Sequence, residues 1–231
     1  MKIPSLRAVL AALVLTTLAT AQDPAAPVDA AALNQQSISN LQQKKAKEAV
    51  EFAEQATKAD PTKPEYFSQL GVALSQRMNE VNFMQMATMS GKLKKAFQKS
   101  VELDPNHVPG LIGLTRFYTN APEIAGGSLE KAAEFAARVQ HLNPFLGEIE
   151  LGRVAEKGEN YADALTHYEA ASKLKPDNAG LQYACGQQLA RLDRKDEARA
   201  RYTTALTLNP ELESARKALA ELDSGPVVGK N

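Results

Sequence analysis

The chain has 231 residues, 6% of them aromatic, and carries 27 basic residues against 27 acidic ones. A formal charge of zero excludes the global basic field that drives nucleic-acid binding, so no nucleic-acid partner is expected. Abundant Ala, Leu, Glu, Lys and Gln favour helix over sheet, and a single cysteine, Cys185, excludes an intramolecular disulfide.

Residues 1–21 read as a secretory signal peptide. Lys2 and Arg7 give a positive start, Ala8 to Ala19 is almost wholly apolar, and Ala19-Thr20-Ala21 is a small-x-small cleavage site. The apolar run falls short of the roughly 20 residues needed to span a bilayer. The expected product is exported, to the periplasm or beyond the cell, with no stable membrane insertion after cleavage. Residues 22–28, QDPAAPV, form a Pro/Ala linker without helical pattern.

Helix pairs then follow one another. In the first (about 29–63), Leu33, Ile38 and Leu41 supply the apolar face of one helix, and Ala46, Ala49, Ala53 and Ala56 that of the next, before Asp60-Pro61 stops it. The second pair (64–107) opens on Pro64-Glu65 and packs through Phe67, Leu70, Gly71 and Leu74. Pro61 and Pro105 are 44 residues apart, against 34 between Pro176 and Pro210, so an insertion lies between them, at Met78 to Gly91. Its Met84, Met86 and Met89 offer thioethers to a soft metal such as Cu(I), and a metal-handling or enzymatic role would centre here. However, Phe83, Ala87, Ser90, Leu93, Phe97 and Ser100 recur at helical steps. They predict that the second helix simply starts early, with methionines filling core gaps, and that Met84 and Met86 do not share a face.

The third pair (108–144) has Leu111, Leu114 and Tyr118 on its first helix and Thr115 where the second has Gly71. An expanded turn, TNAPEIAGGS, leads to a Ser128 N-cap and a buried face of Leu129, Ala132, Ala133, Ala136 and Val139. Gly126-Gly127 lacks the spacing and preceding strand of a phosphate loop, and reads as a turn.

The fourth and fifth pairs (145–178 and 179–212) are in strict register. A shift of 34 residues carries Leu151-Gly152 onto Cys185-Gly186, Ala164 onto Ala198, Tyr168 onto Tyr202, Ala171 onto Ala205 and Pro176 onto Pro210. Residues 211–223 read as a polar-faced capping helix and 224–231 as a disordered tail.

This 34-residue period with Leu-Gly, Ala, aromatic, Ala and Pro at these offsets resembles the tetratricopeptide repeat (TPR), and the string from Ala121 to Ser128 with the long insert before it is similar to a subgroup of exported bacterial-type TPR proteins. The resemblance implies an all-α fold, an α-solenoid of stacked helix–turn–helix repeats whose first helices line a concave groove. It also implies a non-enzymatic scaffold that binds a protein or peptide, or associates with itself through a repeat face. Carried onto this chain, the groove places are Arg116, Arg153 and Gln187, with Ile112, Ile149 and Tyr183 one turn earlier and Arg191 one turn later. Such a row suits an extended or helical peptide bearing carboxylates. The first two repeats hold Asn34, Ile38, Ser68 and Val72 there. No H-E-x-x-H, C-x-x-C or G-x-S-x-G motif occurs, and no catalytic, cofactor or metal residue is assigned.

Overall fold

The computed structural model describes residues 29–224, with the side chain of Ser224 left aside. The expected signal peptide, the linker and the tail after Ser224 lie outside the described residues. Within them the fold is all helical: α1 (Ala30–Gln42), α2 (Ala46–Ala59), α3 (Pro64–Met78), α4 (Phe83–Leu103), α5 (Val108–Asn120), α6 (Leu129–Leu142), α7 (Pro144–Lys157), α8 (Tyr161–Leu174), α9 (Ala179–Arg191), α10 (Lys195–Leu208) and α11 (Glu213–Ser224). A short 3-10 turn, Glu123–Ala125, interrupts the connection from α5 to α6.

Local chemistry sets the boundaries. Asp29, Asn82, Ser128, Asn143, Asn160 and Asn178 each accept a backbone N–H of the first helical turn, satisfying donors that a helix start leaves unpaired. Between repeats, the side chains of Asp60, Asp104 and Asn209 accept the amide two residues on, at 3.0, 2.9 and 3.1 Å, across the following proline. The chain thus ends a helix, cannot continue it through proline, and reverses.

Each helix packs on the next, and first helices also touch in series, α1 on α3, α3 on α5 and α5 on α7. The core is correspondingly a string of clusters. Ala164, Tyr168, Ala171, Leu181, Cys185, Ala198 and Tyr202 belong to the C-terminal one, and Leu74, Leu93, Phe97, Leu114, Phe117, Tyr118 and Val154 to the middle one. Small residues let helices approach closely. A Cβ on Gly152 would come within 2.6 Å of the Tyr168 ring, and one on Gly186 within 2.5 Å of Tyr202.

The inserted segment does extend α4, which has 21 residues where α2, α6, α8 and α10 have 14. The expectation that its apolar side chains all pack fails in the first two turns. Phe83 and Met84 are each 80% exposed and Ala87 is exposed, whereas Met89 packs on the middle cluster. The physical reason is length: the extra seven residues project past the ends of neighbouring helices, so nothing stands opposite them.

Candidate functional site in the first-helix face

Arg116, Arg153 and Arg191 come from three successive first helices, α5, α7 and α9, and line one open cavity of about 570 Å³. Arg116 and Arg153 each follow the small residue that seats its helix, Thr115 and Gly152, so close packing on one side presents the next side chain outward. The cavity is completed by Thr119, Asn120, Glu150, Glu156, Lys157, Glu159 and Tyr161.

The three arginines are not equivalent. Arg116 grips Glu150 with two nitrogens, Nε at 3.0 Å and Nη2 at 2.6 Å from Oε1. Glu150 is only 2% exposed, so the pair crosses a repeat boundary and neutralises a carboxylate taken out of water. Arg191 lies 3.4 Å from Glu156 and 4.9 Å from the Tyr161 ring centroid, so a charge and an aromatic face both hold it. The Tyr168 hydroxyl donates to the other oxygen of Glu156 at 2.9 Å; burial, then that carboxylate, push the phenol well above its usual range. Arg153 is exposed and makes no ion pair with any described residue. It stands between two guanidiniums already oriented by their own carboxylates.

Ile112, Ile149, Tyr183 and Gln187 are half-buried and do not line this cavity. Ile149 and Tyr183 pack against the C-terminal core cluster, and the Tyr183 ring sits 5.8 Å from that of Tyr202. Sequence reasoning missed Glu150, Glu156 and Tyr161. The available signal was Glu150 itself, a carboxylate on the packed side of α7 and one 34-residue period after Arg116.

Cys185 is fully buried, and burial pushes its thiol up to about 11, which leaves it a small core residue. Met84 and Met89 lie on different sides of α4, one in solvent and one in the core. Among the described residues, no three His, Cys, Asp or Glu side chains are grouped to hold a metal.

The described residues form five stacked helix pairs followed by a single helix, an α-solenoid of helix–turn–helix repeats. The tetratricopeptide repeat family model matches residues 149–213, which span most of the fourth and fifth helix pairs. No curated protein sequence matches this chain. Among solved structures it is similar to TTC0263, a thermophilic TPR protein of Thermus thermophilus, with a TM-score of 0.69 and 19% identity over 85% of this chain and 100% of that one. It is also similar to YrrB, described as a TPR protein with an unusual peptide-binding site (TM-score 0.55, 15% identity, 84% and 93% covered). MamA from Desulfovibrio magneticus RS-1 gives a TM-score of 0.59 at 18% identity, covering 80% and 97%. At these identities the likeness is one of fold.

Proposed function

We propose that this chain is a non-enzymatic exported scaffold that takes an acidic protein segment or peptide along the face of α5, α7 and α9. The observation that carries this reading is Arg153. Its guanidinium has five donors and no carboxylate among the described residues, while its neighbours Arg116 and Arg191 are already paired and held. A ligand carboxylate can meet Arg153 in a two-pronged hydrogen bond without ordering the side chains around it. Arg116 spends two of its nitrogens on Glu150 and keeps Nη1 for a second contact. A TPR relative by fold, YrrB, has a peptide-binding site, which supports the class of ligand.

The test uses fluorescent ten-residue peptides carrying either glutamates or glutamines in an otherwise common sequence. The glutamate peptide should bind, and Arg153→Glu should weaken it at least tenfold while leaving helicity intact, by loss of a charge-assisted contact. Equal binding of both peptides, or an indifferent variant, would remove the site. Export is checked separately by N-terminal sequencing of protein from the cell envelope, with Gln22 as the expected first residue.

A further inference from the structure

The two irregular connections of the array meet on one edge. The projecting start of α4 is the first and residues 121–128 are the second. Met78, Met89 and Ala121 each pack against the middle core cluster, and a Cβ on Gly126 would lie 3.5 Å from Lys94 Nζ. On this edge apolar side chains face solvent: Phe83 and Met84 at 80% exposure, Met86 at 37% and Ile124 completely.

Charge accompanies them. From Val81 to Val101 there is no Asp or Glu, while Lys92, Lys94, Lys95 and Lys99 are present. Met84, Thr88, Gly91, Lys95 and Lys99 follow one another at helical steps opposite the buried Leu93, Ala96, Phe97 and Ser100. Lys95 is exposed and has no carboxylate partner among the described residues. Lys92 reaches Glu54 only at 3.9 Å, and Lys94 and Lys131 ride on the Tyr118 ring rather than on an acid. Lys99 is paired with Glu102 at 2.9 Å, Glu123 and Glu130 are acids that the neighbouring elements add, and Glu80 is already held by Arg77.

Size and charge choose the occupant. Four exposed apolar side chains amount to an area on the order of 500 Å², short of the ~800 Å² per partner of a stable protein interface. Pairing of two copies here would also bring like-charged lysines together. We propose that this edge is a peripheral docking surface for an anionic lipid bilayer: Phe83 and Met84 enter the boundary between headgroups and acyl chains, and Lys92 and Lys95 reach lipid phosphates. No described helix is long and apolar enough to cross a membrane, and the contact is interfacial in kind.

The sequence contains no Trp, so Phe83→Trp in the full chain gives one reporter at the tip. Its emission should shift to the blue with vesicles rich in phosphatidylglycerol and stay unchanged with pure phosphatidylcholine. In vesicle cosedimentation the full-chain double variant Phe83→Glu, Met84→Glu should partition more than tenfold less than wild type, and Lys95→Glu about fivefold less. Glutamates in the first turn of α4 suit the helix dipole, so folding is preserved. The apolar stretch Ala8 to Ala19 is present in every variant, so the partitioning of each into pure phosphatidylcholine is measured and subtracted. An unshifted reporter, an equal shift with both vesicles, or unchanged partitioning of the double variant would overturn the proposal. So would a dimer, seen by sedimentation velocity, that the double variant abolishes, since the edge would then join two copies.

Discussion

Repeats four and five reverse between their helices on a single left-handed residue, Glu159 (φ 60°) and Asp193 (φ 57°), and the first repeat does the same at Lys44 (φ 59°). Repeats two and three instead carry their extra length at this place, as the longer α4 and as residues 121–128. Yet the contact beneath survives the insertion. Phe97 meets Gly71 across 26 residues as Tyr168 meets Gly152 and Tyr202 meets Gly186 across 16, and the difference is the ten-residue insertion. The stack is specified by facing side chains, and the length of the connection between helices is free to vary.

The same comparison exposes a compensation. Six residues before the end of each second helix stand Ala53, Phe97, Ala136, Tyr168 and Tyr202. The matching places of the first helices are Ser37, Gly71, Thr115, Gly152 and Gly186. Glycine goes with an aromatic ring, whereas Ser37 and Thr115, both fully buried, go with alanine. The two solutions fill a similar volume from opposite sides. Tyr168→Ala should therefore cost about 3–5 kcal/mol in denaturant unfolding. Adding Gly152→Thr, which copies the third repeat's pairing, should restore part of that loss. A strictly additive double-mutant cycle would show that the pairing is coincidental.

Filling the glycine place alone has a smaller cost. Gly152→Leu should destabilise by about 1–3 kcal/mol, because the Tyr168 ring must leave its position. Unchanged stability would mean that α7 does not sit in the register described. One position in the fifth repeat breaks the pattern in the other direction. Gln188 occupies the place that Val154 holds one period earlier, is completely buried, and its amide finds no described partner. Replacing it with Leu removes a desolvated polar group at nearly constant volume, and should raise stability by about 1 kcal/mol. A loss would reveal a hydrogen bond to the amide.

Much of this architecture was legible because a solenoid repeats its own evidence. Ala164 with Ala198 and Tyr168 with Tyr202 mark the packed face twice, and each proves fully or almost fully buried. Arg116 and Arg153 could likewise be set on one row by counting from the repeat boundaries, with Arg191 one turn beyond Gln187, the residue one period after Arg153. What remained hidden depends on a neighbour that periodicity does not report. The steps from Phe83 to Leu93 look like a packed face, but only the shorter helices beside α4 decide that Phe83 is uncovered. Glu150 is informative only once Arg116 is seen gripping it across a repeat boundary. Tyr183 and Ile149 have groove periodicity, yet the clustering of large side chains around Tyr202 draws them half into the core.

The smallest expected effect separates the two kinds of turn most directly. Lys44 holds a left-handed conformation that costs a residue with a Cβ about 1–2 kcal/mol, a penalty glycine does not incur. Glycine also brings a more disordered unfolded chain, worth roughly 0.5–1 kcal/mol against it. The balance predicts that Lys44→Gly stabilises by about 0.5 kcal/mol. In the second repeat the C-cap Asn79 is right-handed at φ −73°, as Gln43 is at φ −84° before Lys44, but no left-handed residue follows it. There the strain is absent and only the entropy of glycine acts, so Asn79→Gly should destabilise by a similar amount. Opposite signs at these two positions, read as shifts in denaturant midpoint at constant slope, are required if the tight and extended turns differ in backbone strain. The same sign at both would mean that the left-handed turns of repeats one, four and five are no more strained than the extended ones.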